Sequence, residues 1–169
     1  MRKENVKVIV WGLGAMGKGI VEMLLKKKGV EIVGAVVRGD KIGKSMYELI
    51  GIDRGDRPDV IAGSYEDVIK EGAADVVIIS TDSYTRTNFD KIKYCLERKI
   101  NVISTAEEMA YPKAQSPELA AELDRIAKEN GVTVLGTGIN PGLIMDLLVI
   151  TLTGACIDVE SIKAERVNN

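Results

Sequence analysis

The sequence predicts an α/β chain with a mostly parallel sheet wound on both faces by helices. Three observations carry that reading. Short blocks rich in Val and Ile recur along the chain, helical patterns separate them, and the first block runs straight into glycines spaced G-x-G-x-x-G. Continuous β-branched runs without polar alternation suit strands covered on both faces. Alternation of strand and helix implies right-handed crossovers and hence a doubly wound sheet.

The strand blocks are VKVIVWG, VEIVGAVV, ADVVIIS, INVIST and VTVLG, and PDVIAG reads as a further short strand. MGKGIVEMLLKKKG places Ile20, Val21, Leu24 and Leu25 on one side, with lysines expected in the last turn and a stop at Gly29, where cations and glycine suit a helix C-terminus. Ser64, followed three residues later by Asp67, reads as a capping-box start. RTNFDKIKYCLERK carries Phe89, Ile92 and Leu96 near helical spacing. SPELAAELDRIAKENG is bounded by Ser116 as cap, Pro117 in the first turn and Asn130-Gly131 at the end. RGDKIGKSMYELIGIDRGDRP is irregular, with a short helical piece around SMYELI. NPGLIMDLLVITLTG is apolar nearly all round, so burial on more than one side is expected, and DVESIKAERVNN has the look of a strand that stops without a partner. The chain therefore reads as residues 1–153, one nucleotide-type domain, followed by 154–169, the start of a second domain for substrate or oligomerisation.

Composition narrows the function. The chain has 169 residues, 46% of them hydrophobic, and a formal net charge of -2, which suits a single core. Lys and Arg are interspersed with Asp and Glu and aromatics make up 4%, so neither a basic face nor a base-stacking surface argues for nucleic acid. No apolar stretch approaches the roughly 18 residues of a membrane span, and MRKENVKVIV lacks the core and cleavage site of a signal peptide. There is no histidine, and Cys95 and Cys156 lie far apart. That argues against a metal site and against a Ser-His or Cys-His nucleophile, and it points to the cytoplasm.

The glycine turn is the strongest chemical signal. Gly12, Gly14 and Gly17 follow an apolar strand and open a helix, the setting in which such a turn cradles a dinucleotide. In that geometry Gly12 allows the tight turn, Gly14 leaves room for the pyrophosphate and Gly17 lets helix approach strand, with Leu13, Ala15 and Met16 offering backbone N–H groups. This is a Rossmann-type fingerprint. Arg38 stands where the second strand would place an acidic residue beside the adenosine ribose. An acid there favours NAD and an Arg can pair with a 2′-phosphate, so NADP is expected with NAD tolerated. Lys41 and Lys44 add positive potential nearby, Asp40 could reach the ribose if the loop folds back, and Arg38 also reads as a solvated loop residue or one that stacks on adenine.

Other strand ends supply further candidates. Ser80, Thr81 and Asp82 can line the ribose and nicotinamide, cap the next helix, or do both. After INVIS come Thr105 and Ala106, then Glu107 and Glu108. A carboxylate there, Glu107 ahead of Glu108, can hold a substrate ammonium group or take a proton if buried, and the same pair also reads as a solvated loop. Gly136 and Gly138 would let backbone approach the nicotinamide. Asn140 either caps a helix starting at Pro141 or holds the carboxamide or substrate, and Asp146 either faces the cleft or meets the second domain.

With STDSYTRTNFDKIKYCLERKINVISTAEEMAYP and GTGINPGLIMDLL in view, the chain resembles the N-terminal domain of dihydrodipicolinate-reductase-like oxidoreductases. GTGINPGLIMD leading to ERVNN is its more specific part, and within the family it is most similar to the 2,4-diaminopentanoate dehydrogenase group. The resemblance implies an NAD(P)-dependent oxidative deamination of a diamino acid at C4. A hydride leaves the amine-bearing carbon for the nicotinamide, water hydrolyses the imine, and 2-amino-4-oxopentanoate and ammonia result. It also implies a small amino-acid-like substrate, a cytoplasmic enzyme and a homo-oligomer formed through the second domain. The histidine-rich catalytic segment of the family's reductases has no counterpart here. Two alternatives stand beside this reading: reduction of a cyclic imine or enamine, and a module that senses NAD(P) without chemistry.

Overall fold

The computed structural model describes residues 4–165 and 167. Its centre is a six-stranded sheet in the order β3-β2-β1-β4-β5-β6. The strands are β1 (Val6–Trp11), β2 (Val30–Val36), β3 (Ala62–Gly63), β4 (Val76–Ile79), β5 (Asn101–Ser104) and β6 (Val134–Gly136). Every neighbouring pair is parallel. The order starts in the middle and reverses direction at β1/β4, which puts a crevice at the carboxyl ends of those two strands.

The Val/Ile runs form strands because both faces are covered. Ile9 and Trp11 of β1 point into one core with Val77 and Ile79 of β4, Ile92, Cys95 and Leu96 of α4 (Thr85–Leu96), and Leu123 and Ile126 of α6 (Pro117–Asn130). Val8 and Val10 point the other way, against Val21 and Leu24 of α1 (Ala15–Leu24) and Met46, Tyr47 and Ile50 of α2 (Met46–Ile50). Removing that apolar surface from water, at about 25 cal/mol per Å², is what holds the two helical layers to the sheet.

Local signals explain most boundaries. At α3 (Tyr65–Val68), the Ser64 hydroxyl accepts the Asp67 N–H at 3.2 Å, so the expected N-cap forms, and it donates to the Asp67 carboxylate at 2.7 Å, which takes the hydroxyl rather than the Ser64 backbone N–H of a full capping box. Gly131 ends α6 in the left-handed conformation at φ 66. α5 (Pro112–Gln115) precedes α6, and short 3₁₀ turns occupy Gly39–Lys41 and Glu107–Ala110. PDVIAG supplies only the two residues of β3.

Several expectations are corrected. α1 ends at Leu24, so Lys26, Lys27 and Lys28 lie in the turn beyond it. Ser116 occupies the N-cap position of α6 without a side-chain capping bond. Asn140 does not cap a helix at Pro141. Asn140, Pro141 and Gly142 are all non-helical, the Asn140–Pro141 peptide is cis, and regular turns resume after Gly142 on the way to α7 (Leu148–Thr153). The stretch 158–169 forms no strand among its described residues; Arg166, Asn168 and Asn169 lie outside them. The apolar segment expected to be buried is open on this chain: Leu143, Ile144, Leu147, Leu148, Ile150 and Leu152 are exposed, as is Leu135 on β6. Among the described residues no helix is long and apolar enough to cross a membrane.

Candidate functional site: a glycine turn at the sheet crevice

The turn between β1 and α1 gives each of its three glycines a different surrounding. Gly12 sits at φ 102, which L side chains rarely adopt, and its N–H donates to the Val36 carbonyl at 3.0 Å. A Cβ on Gly17 would lie 1.9 Å from the Gly12 carbonyl oxygen, so only glycine lets α1 start this close to β1. A Cβ on Gly14 would meet nothing within 4 Å. Its lack of a side chain answers to no protein neighbour and leaves open space at the helix start.

That start is receptive to an anion. Gly14 is the N-cap of α1, no side chain caps it, and the first turn carries no acidic residue. The first N–H groups of a helix lack intrahelical acceptors and carry the positive end of its dipole. Leu13 is half-buried, whereas Gly14, Ala15 and Met16 are exposed. Ser80, at the end of β4, clasps the turn: its N–H donates to the Trp11 carbonyl at 3.0 Å and its hydroxyl to the Gly12 carbonyl at 3.2 Å.

Two adjoining hollows open beside this turn. One, about 350 Å³, is lined by Gly12, Leu13 and Gly14 together with Ser80 and Thr81, and by Arg38, Lys41, Asp82 and Lys91. The other, about 490 Å³, lies toward β3. Trp11, Tyr65 and Tyr94 line it, with Trp11 stacked on Tyr65 at 5.4 Å and Tyr65 edge-on to Tyr94 at 4.8 Å. Arg38 and Lys91 line both. The glycine turn, Arg38, Ser80 and Thr81 are thus brought together. A dinucleotide fits this donor set: an open helix start for a diphosphate, cations for a further phosphate and an aromatic, apolar compartment next to them. Asp40 lines neither hollow; its carboxylate stands 4.0 Å from Lys44 and is largely exposed.

Thr105, Ala106 and Glu107 lie beyond the hollows, at the end of β5. The Thr105 N–H donates to the Ile79 carbonyl at 3.0 Å, and Ala106 is buried, its N–H donating to the Ser104 hydroxyl. Glu107 is exposed, so within this chain it is not the buried carboxylate that proton transfer called for. Glu108 serves a neighbouring helix instead. Its Oε2 accepts the Thr85 N–H at 2.8 Å and so caps α4, 23 residues away. Asp146 accepts the Gly142 N–H at 2.7 Å. Gly136 is explained by packing, since a Cβ there would fall 1.8 Å from the Met109 carbonyl oxygen. Close backbone approach occurs at Gly136, but the approaching group is the Glu107–Ala110 turn.

Sequence reasoning missed Lys91, Trp11 and the two tyrosines as lining residues. Lys91 follows Thr81 by ten positions and returns to it only because α4 folds back over the strand end.

Comparison with known proteins agrees with this arrangement. Residues 6–135 match the family described as "Dihydrodipicolinate reductase, N-terminus", and residues 143–169 match "2,4-diaminopentanoate dehydrogenase C-terminal domain". A 2,4-diaminopentanoate dehydrogenase of Acetoanaerobium sticklandii is 69% identical over 98% of this chain and 47% of its own. The chain thus spans about half the length of that relative. An amine dehydrogenase structure from Mycobacterium smegmatis superposes with a TM-score of 0.83 at 33% identity, over 93% of this chain and 46% of that one. A homoserine dehydrogenase from S. aureus shares the fold, with a TM-score of 0.58 at 15% identity, over 80% of this chain and 33% of that one. The strand–glycine–helix cradle, the β1/β4 crevice and a family match running from β1 into β6 converge: the chain belongs to the dihydrodipicolinate reductase N-terminal family.

Proposed function

We propose that this chain is the coenzyme-binding portion of an NAD(P)-dependent oxidoreductase that oxidatively deaminates 2,4-diaminopentanoate to 2-amino-4-oxopentanoate. The observation that carries the coenzyme reading is the open, uncapped helix start at Gly14, beside a Gly17 that no other residue could replace. The substrate reading rests on the 69% identity to the Acetoanaerobium sticklandii enzyme and on the match at residues 143–169. When bound, the coenzyme would supply the hydride acceptor; the chain supplies binding and orientation.

In this reading the backbone N–H groups of Leu13, Gly14, Ala15, Met16 and Gly17 hold the diphosphate, while that of Gly12 is engaged by the Val36 carbonyl and fixes the turn. Arg38, with Lys41, receives a 2′-phosphate, so NADP is used and NAD is tolerated. Support comes from Arg38 and Lys41 both lining the phosphate hollow while Asp40 stays outside it. Ser80 and Thr81 hold the ribose side. Thr105, Ala106, Glu107 and Asn140 lie at the strand ends on the other side of the crevice, where nicotinamide and substrate meet. With its capping role gone, the Asn140 amide, which takes no hydrogen-bond partner among the described residues, suits the carboxamide or substrate, and exposed Glu107 suits a substrate ammonium group. A domain beginning at 154–169 covers the apolar face of 143–152, closes over substrate and forms the homo-oligomer. The cytoplasm is proposed as its location, in keeping with two free cysteines, one of them buried.

A second reading, reduction of a cyclic imine or enamine, is favoured by the description of the family matched at 6–135. Spectrophotometric coenzyme reduction by the full-length protein separates the two. The expected result is turnover of 2,4-diaminopentanoate, with kcat/KM higher for NADP than for NAD, and an inverted preference in Arg38→Asp. The 169-residue chain alone is expected to bind coenzyme without turnover. Nucleotide binding without any oxidation of 2,4-diaminopentanoate would overturn the substrate assignment.

A further inference from the structure

Inside the lining of the phosphate hollow, Asp82 faces the same space as Arg38, Lys41 and Lys91. A carboxylate there should repel a phosphate or accept from a ribose hydroxyl, yet this one is occupied. Its Oδ2 is 2.7 Å from Lys91 Nζ and accepts the Thr81 hydroxyl at 3.2 Å. Its Oδ1 accepts from Asn88 Nδ2 at 2.6 Å, from the Tyr84 N–H at 3.3 Å and from the Thr87 hydroxyl. Lys91 is equally engaged: its ammonium donates to Asp82, to Thr81 Oγ1 at 2.7 Å and to Asn88 Oδ1 at 3.3 Å, one acceptor for each of its protons. Its side chain is only 13% exposed, so the pair is shielded from solvent screening. Partial burial alone would raise the Asp82 pKa, but hydrogen bonds from Lys91 and Thr87 and the Lys91 charge outweigh it and hold the carboxyl below its usual range.

We infer that Lys91 is a positioning residue that sets coenzyme specificity through Asp82. This rests on the nucleotide reading of the same hollow. By cancelling the Asp82 charge and engaging its Oδ2, Lys91 removes a local repulsion and leaves Arg38 and Lys41 to act on a phosphate. Neither of these forms an ion pair among the described residues. Three cations against one anion leave the hollow two net positive charges. Loss of Lys91 would halve that excess and leave the Asp82 charge without its cation. A 2′-phosphate senses that field far more than a 2′-hydroxyl does.

Calorimetric titration of the protein with NADPH and with NADH at low salt tests this. Lys91→Gln should weaken NADPH by about tenfold and NADH by less than about threefold, and the gap should narrow at high ionic strength. Asp82→Asn/Lys91→Gln should regain most of the NADPH affinity, because no unpaired charge remains, and Lys91→Arg should keep the wild-type ratio. Equal weakening of both nucleotides by Lys91→Gln, or a double variant as weak as the single, would overturn the inference while leaving the nucleotide reading intact. Wild-type protein that binds neither nucleotide would instead bring down the nucleotide reading, and this inference with it.

Discussion

Two glycine-bearing turns, 12–17 and 136–142, each carry this chain from a strand into a helical segment, and they answer to different neighbours. At the first, Gly17 is filled by protein and Gly14 faces open space. At the second, Gly136 is filled by the Met109 backbone, and a Cβ on Gly138 would meet the Pro141 carbonyl oxygen at 2.9 Å. The helices that follow differ in the same way. α1 buries Val21 and Leu24 against the sheet, whereas the segment after Gly142 exposes Leu147, Ile150 and Leu152. A missing side chain in a sequence says that something must come close. What comes close, protein or ligand, is decided by the fold.

Alanine substitutions sharpen this comparison. Gly17→Ala should have the largest effect, because the new Cβ would fall 1.9 Å from the Gly12 carbonyl oxygen, in a turn that cannot move without breaking β1. A loss on the order of 3 kcal/mol is expected in denaturant unfolding, together with loss of nucleotide binding. Gly136→Ala should cost less, about 1–3 kcal/mol, since β6 is the last strand of the sheet and can shift at its free edge. Its nucleotide affinity should stay near wild type wherever it is folded. If Gly136→Ala weakened nucleotide binding tenfold with little loss of stability, the second turn would be a ligand cradle after all. Gly14→Ala should cost stability least, about 1 kcal/mol or less, since φ is -77 and the space is empty, so that only the poorer N-cap quality of Ala counts against it; its main effect should fall on the ligand.

The fold was legible wherever burial on two faces forced the composition. Runs such as VKVIVW cannot be amphipathic, because alternate residues feed two cores. Helix ends were legible where one residue carried the signal, as Ser64 and Gly131 do. The lysines after Leu24 misled because turn and helix share their preference for cations. NPG misled because Asn before a proline resembles a cap until the backbone angles are known. Within the site, the glycine turn and Arg38 could be read from spacing. Lys91 could not, since its partners Thr81 and Asp82 precede α4, the helix that carries it, and meet it only where α4 folds back over the end of β4, and Glu108 caps a helix that starts 23 residues earlier. The roles that failed depend on contacts between distant segments, which no local pattern encodes.

The central claim is that the space beside Gly14 belongs to a coenzyme diphosphate. Titration calorimetry of NADPH into the wild type and into Gly14→Ala, with both shown by denaturant unfolding to be fully folded under the conditions of titration, addresses it most directly. The claim predicts saturable binding by the wild type and at least about tenfold weaker binding by the variant, near 1.4 kcal/mol. No binding by the folded wild type, or equal affinity in the two proteins, would contradict it.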